Sequence, residues 1–392
     1  MTTARRFDLV LFGATGFTGG LTAEYLARNA PPQARWALAG RKLSKLEAVR
    51  TRLAAINPAF QQLPLLEVDA SDVEALKRLV ADTAVVVSTV GPYIRYGEPL
   101  VAACAAAGTH YADLTGEPEF VDLMWLRYHK AAQTSGAKLV HSCGFDSIPH
   151  DLGAYFTVKR LPRDVPLRVE GYVRASAEFS GGTYHSAINA FSRLGETARL
   201  HKQRRAQEPV PAGRKIGSTA MRIRHDQSLQ TWLLPFPGID PDVVRRSAAA
   251  LDCYGPDFRY GHFIQVRKLS TVMALLGGVS ALIALAQFGP TRRWLLTKKD
   301  PGDGPSPQRR EQSWFRVRFV GEGGGQRVIT EVSGGDPGYG ETSKMLAETA
   351  MSLAFDALPA GGGQLTPVAA MGDFLLARLQ AAGIKFEEVR SQ

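Results

Sequence analysis

Gly13, Gly16 and Gly19, in the heptapeptide GATGFTG, are spaced three residues apart directly after the apolar run Leu9-Val10-Leu11-Phe12. Glycines so placed let a chain turn sharply, bring its backbone against a pyrophosphate and pack the next helix closely. Unpaired N–H groups and the helix dipole favour an anion there, and the hydroxyls of Thr15 and Thr18 add donors. The pattern reads as a dinucleotide loop of Gly13, Thr15, Gly16, Phe17, Thr18 and Gly19, set against the plainer reading of a strand-to-helix turn. About twenty residues on, an NAD site places a carboxylate on the ribose 2′-hydroxyl. This chain has Gly40-Arg41-Lys42 instead. A guanidinium forks onto a 2′-phosphate and stacks on adenine, so Arg41, helped by Lys42, Ser44 or Lys45, points to NADPH rather than NADH.

Such groups need alternating strands and helices to hold them. Apolar runs predict parallel strands over 9–12, 36–39, 63–68, 84–90, 110–117 with its exit loop, and 138–142. Helices are expected after Gly19 and over 43–53, 73–80, 97–107 and 121–135. Asp69 ends the third strand, where it faces an adenine or caps the next helix. Val90-Gly91-Pro92 ends the fourth strand, at the edge where a nicotinamide reaches, and Tyr93 follows as a ring or substrate contact.

Beyond Gly153 the alternation stops. A strand over 167–176 leads through Ser180-Gly181-Gly182-Thr183 to a helix expected over 184–205. Proline-rich loops over 209–217, 235–241 and 301–307 follow, then a hairpin of 314–320 and 326–332 around Gly323-Gly324-Gly325. Helices are expected over 342–355 and 365–386. The fold class is therefore α/β: an N-terminal Rossmann doubly wound parallel sheet over 1–153, and an α+β substrate or dimerisation domain with an antiparallel sheet over 154–340. The helices of 341–392 are expected to pack back on the first domain.

With 392 residues, 45% hydrophobic and 21% charged, the composition is that of a globular chain, and disorder is not its theme. Cys104, Cys143 and Cys253 stand far apart, which argues against a disulfide framework or structural zinc, and no metal is expected. The net charge of +10 gathers in Arg199, Lys202, Arg204, Arg205, Arg214, Lys215, Arg222 and Arg224. No nucleic-acid motif accompanies this patch, so nucleic acid is not an expected partner. An acidic carrier protein, a phosphopantetheine thioester or anionic lipid fits it, as does a merely solvated face. Residues 1–8 lack a signal-peptide core, and a cytoplasmic location is expected.

The segments GATGFTG, STVGPYIRYGEPLVAACAAAGTHYADLTGE, CGFDSIPHDLG, GPDFRYGHF and SGGDPGYGETSKMLAE together resemble the saccharopine dehydrogenase-like oxidoreductases. Within them the resemblance is to trans-acting enoyl reductases of mycobacterial phthiocerol lipid synthesis, and it covers essentially the whole chain. It implies NADPH-dependent reduction of an enoyl thioester held by an acyl carrier domain. The double bond takes a hydride at its β-carbon, the enolate charge needs a donor, and the α-carbon needs a proton. Tyr93, Asp146, Ser147, Tyr184 and His185 are the candidates by position; Asp146 as a helix cap and Tyr184 as a core aromatic are the structural alternatives. Tyr155 and Lys159, with Ser142 upstream, match the Tyr-x-x-x-Lys of short-chain dehydrogenases but follow the wrong strand. Two other functions stay open: a saccharopine-type amino-acid or imine oxidoreductase, and a non-catalytic NADPH-binding sensor or lipid-associated scaffold.

The longest apolar stretch, VMALLGGVSALIALAQFG over 272–289, is flanked by Arg267-Lys268 and Arg292-Arg293. It admits three readings: a buried helix or hairpin, an interfacial or acyl-covering element, and a membrane span. The second would place the protein peripherally on the inner face of the plasma membrane. A homodimer is a further open expectation.

Overall fold

The apolar runs of the first third form six parallel strands: β1 (Phe7–Phe12), β2 (Trp36–Gly40), β3 (Leu65–Glu67), β4 (Thr83–Ser88), β5 (His110–Asp113) and β6 (Lys138–Val140). Every residue of β2 is buried, as expected for a strand covered on both faces. The chain continues into β7 (Leu167–Ser176), β8 (Lys215–Ser218), β9 (Arg224–Asp226), β10 (Thr231–Pro235), β11 (Asp257–Val266), β12 (Trp314–Gly323) and β13 (Gln326–Gly334). After helix Gly340–Phe355 come β14 (Gly363–Leu365), helix Pro367–Ala381 and β15 (Lys385–Glu388). The computed structural model describes residues 5–177, 181–227, 229–298 and 305–389. Ser180 and residues 301–304 of the expected proline-rich loop lie outside them.

The first sheet runs in the order β14-β6-β5-β4-β1-β2-β3, all parallel. The order turns back between β1 and β4, and such a switch point opens a ligand crevice at the strands' C-terminal ends. The second sheet, β15-β13-β12-β7-β11-β10-β9 with β8 on β11, is mixed, with most of its pairs antiparallel as expected. There β11 runs parallel to both β7 and β8.

Two compact units result: residues up to Phe145 with Gly338–Ala382, and Asp146–Pro337 with the residues from Gly383. The crossing falls before helix Ile148–Val158, not after Gly153, because that helix packs on β12 and β13. A Cβ at Gly153 would stand 2.2 Å from a ring carbon of Phe319, so only glycine lets helix and strand meet.

Several local expectations change. β4 stops at Ser88, short of the Gly91–Pro92 bend, and β6 stops at Val140, since Ser142 takes a φ of 61°. The helix expected over 184–205 is two, Gly181–Ser192 and Leu194–Gln207, with Arg193 non-helical between them. The expected 365–386 helix ends at Ala381, and Gly383, at a φ of 90°, turns the chain into β15, which pairs with β13.

Much of the basic patch is tied up within its own unit. Arg204 and Arg246 share Glu208, Arg224 pairs with Glu170 at 2.5 Å, Arg199 pairs with Glu196, and Arg214 donates to the carbonyls of Gly255 and Ala248. Apolar helix Leu269–Gln287 buries only Val272 and Ala286, so it is not a core helix.

Gly153→Ala is expected to lower stability by about 1–3 kcal/mol through overpacking against Phe319, read as a fall in thermal midpoint.

Candidate functional site

The glycine loop is held by backbone contact. Gly13 adopts a φ of 97°, its N–H donates to Ala39 O at 2.9 Å, and Gly16 N–H returns to Gly13 O at 3.0 Å. A Cβ on Gly19 would lie 2.3 Å from Gly13 O and 2.7 Å from Thr89 Oγ1. Helix Phe17–Asn29 starts from Gly16 with no side chain capping it, and Thr15, Gly16 and Phe17 are exposed. Thr18 is half-buried and Gly19 buried. This cradle, which a methyl group would fill, fits a dinucleotide phosphate.

Thr89, for which the sequence pattern suggests no role, donates to Gly13 O at 3.1 Å and so ties the end of β4 to the loop. Beyond it, Val90 and Pro92 are half-buried and Gly91 exposed, with a cis bond between Gly91 and Pro92. Arg41 and Lys42 are exposed at the end of β2. Asp69 accepts from Ser71 N–H and Oγ at 2.8 and 2.6 Å, which, with the nearby Arg41 charge, holds its carboxyl below the usual range. Asp69 does not cap the next helix; Asp72 does, accepting from Ala75 N–H at 2.9 Å.

Tyr93 makes a structural tie. Its buried hydroxyl donates to Ser88 O at 3.0 Å and accepts from Leu114 N–H at 3.2 Å, and burial pushes its pKa further up. Buried Glu117 accepts the N–H groups of Tyr93 and Ile94 at 3.1 and 2.9 Å. Asp113 anchors the adjoining edge: its carboxylate takes the N–H groups of Thr115 and Ser142, each at 3.0 Å, and meets His141 Nδ1 at 2.7 Å. Ser142 Oγ donates to Thr115 O. Lys159 Nζ sits 5.2 Å over the Tyr155 ring.

The remaining candidates belong to the second unit. Tyr184 donates its hydroxyl to Leu295 O at 3.1 Å and packs beside buried Ile188 and Leu295, which is the core-aromatic alternative. His185 lies half-buried against Tyr184, ring centroids 6.1 Å apart. Ser147 is buried and donates to Asp146 O. Asp146 is the one candidate of the five that is exposed, and it caps no helix, since Ser147 precedes Ile148–Val158. Surrounding protein still raises its carboxyl pKa by desolvation.

Behind it stands a group whose members are far apart in sequence: His150, Asp240 and His262, all buried. Asp240 lies 4.0 Å from His150 Nε2 and 3.7 Å from His262 Nε2, and His262 Nδ1 meets Tyr260 Oη at 3.1 Å. Among the described residues, Asp240 Oδ1 and His262 Nε2 find no hydrogen-bond partner. Desolvation, then the nearby Asp146 charge, raises Asp240 well above the usual range. Desolvation lowers His150 well below 6.5 and His262 to about 3. Neutral imidazoles around a protonated carboxyl can hold a proton away from water.

Comparison with known proteins agrees with this architecture. Residues 9–140 match the family model of the saccharopine dehydrogenase NADP-binding domain. Over 420 residues the chain is 40% identical to a Mycobacterium tuberculosis protein provisionally named a trans-acting enoyl reductase, covering 99% of each chain. It is 36% identical over 419 residues to a Mycobacterium ulcerans trans-acting enoyl reductase, covering 98% of each. Saccharomyces cerevisiae saccharopine dehydrogenase (L-Glu forming) has a similar fold, with a TM-score of 0.54 at 13% identity over 97% of this chain and 99% of that one. The chain is thus an α/β oxidoreductase with a Rossmann unit. It belongs to the saccharopine dehydrogenase-like family, with NADP as its cofactor.

Arg41→Ala is expected to weaken NADPH binding about tenfold or more while leaving NADH binding little changed, as measured by fluorescence titration. The two depressed histidines bind protons more readily unfolded than folded. Their contribution to stability is therefore full above pH 6.5 and is lost as pH drops toward about 3, while Asp240, whose raised carboxyl keeps its proton more readily folded than unfolded, contributes in the opposite sense as pH rises. His262→Gln should flatten that loss in thermal midpoint.

Proposed function

We propose that this protein reduces the carbon–carbon double bond of an enoyl thioester delivered by an acyl carrier domain. NADPH supplies the hydride. The observation that carries this reading is similarity along 99% of both chains to a relative named as an enoyl reductase, since it spans the second unit as well as the cofactor domain.

The chain's own part would be to bind the cofactor phosphates on the Gly13–Gly19 loop, select the 2′-phosphate with Arg41, and deliver a proton to the substrate α-carbon. Asp146 suits the last of these roles, because it is exposed and desolvation shifts its carboxyl pKa upward. Asp240 lies within electrostatic reach of it, and the His150–His262 pair keeps the surroundings neutral. Tyr93 and Tyr184 have hydroxyls committed to carbonyls and would not serve. A cytoplasmic setting follows from the carrier-bound substrate.

NADPH oxidation should be followed against enoyl, ketoacyl and imine substrates, with product mass analysis. Enoyl turnover with one deuterium gained from labelled NADPH is expected, and reduction confined to an imine would overturn the reading. Asp146→Asn should lower kcat about tenfold or more with NADPH affinity unchanged. Because the protonated form donates, wild-type kcat should fall as pH rises through the pKa of Asp146, and the variant should lose that limb.

A further inference from the structure

Helix Leu269–Gln287 and the short helix Gly289–Leu296 after it present an apolar surface that their own unit does not cover. Leu269, Met273 and Leu276 repeat at i, i+4 and i+7 along one stripe and are all exposed, beside exposed Leu275 and Val279. Phe288, 66% exposed, stands at the turn between the two helices, and Trp294, 52% exposed, lies on the second of them. A contiguous apolar patch of this kind marks an interaction site.

The charges beside the patch choose its occupant. From Arg267 to Lys298 the chain carries five cations, Arg267, Lys268, Arg292, Arg293 and Lys298, and no Asp or Glu. Lys298 Nζ lies 4.3 Å over the Trp294 ring, which places a cation beside an aromatic of the kind enriched at membrane interfaces. A second copy of this chain would bring the same cations to the contact and no acid from this segment. Anionic headgroups above acyl chains complement both features.

The connections decide between lying and spanning. At 1.5 Å per residue the helix is about 29 Å long, close to a hydrocarbon core. Yet its N-terminal end continues from β11 and the chain goes on to β12, and both strands pair with β7 in one sheet. Its C-terminal end returns to the same unit, with Ala286 and Leu295 packed on Ile188 and Gln287 Nε2 donating to Phe191 O at 2.7 Å. Both ends are held on one side, so a single crossing is excluded by topology.

We propose that this segment is an interfacial docking surface that seats the protein on an anionic phospholipid bilayer, with helix Leu269–Gln287 lying in the boundary between headgroups and acyl chains. The proposal is independent of the reductase reading, because vesicle binding needs no turnover.

Sedimentation of the full-length protein with vesicles of phosphatidylcholine, alone or mixed with phosphatidylglycerol, tests it. Wild type should pellet with the mixed vesicles and less with phosphatidylcholine alone. L276D/V279D should bind about tenfold more weakly, while NADPH affinity stays unchanged and shows that the fold is intact. R292Q/R293Q should lose only the gain conferred by phosphatidylglycerol. Wild type remaining in the supernatant with both vesicles, or L276D/V279D pelleting like wild type, overturns the proposal. So does a wild-type dimer that L276D/V279D dissociates without vesicle binding, which would assign the face to a second copy.

Discussion

The approach of Gly19 to Gly13 O is the constraint on which the nucleotide-binding unit depends. With 2.3 Å between a hypothetical Cβ and that oxygen, no other residue lets the first helix sit so close to the end of β1. That closeness leaves the loop backbone open to a phosphate, and it brings Thr89, just after β4, against the same carbonyl. Because β1 and β4 flank the switch point of the sheet, one tight contact sets the geometry of both walls of the cofactor crevice.

Along the rest of that sheet edge, buried polar groups hold the chain in place. Tyr93, Glu117 and Asp113 each satisfy main-chain groups that strand ends leave without ladder partners, which water cannot reach to satisfy. A tyrosine with its hydroxyl committed on both sides is a poor acid. Tyr184 donates its hydroxyl to Leu295 O and so ties helix Gly181–Ser192 to helix Gly289–Leu296. Asp146, by contrast, is exposed, with the buried His150, Asp240 and His262 in the same unit.

The second unit combines two features that would oppose each other in one place. Its interior keeps His150, Asp240 and His262 out of water, where desolvation disfavours the charged form of each. Its exterior leaves a long apolar helix in water with cations at either end. The first suits proton handling and the second a greasy surface.

The sequence by itself determined the cofactor fold, because a parallel strand buried on both faces and a glycine turn leave local signatures: β1, β2, the loop and Arg41 all stand where their residues put them. It also placed β7 to the residue and the hairpin nearly so, since alternation and turn glycines are local too. Only the tertiary structure decided which polar side chains are committed. Tyr93 and Tyr184 look reactive in sequence, and their hydrogen-bond partners lie in other elements. Only folding brought His150, Asp240 and His262 together, because helix and strand pairing set their distances and spacing does not. The helix over 269–287 reads equally as core or surface from composition; its exposure was settled by which neighbours the second sheet supplied, and those neighbours come from distant parts of the chain.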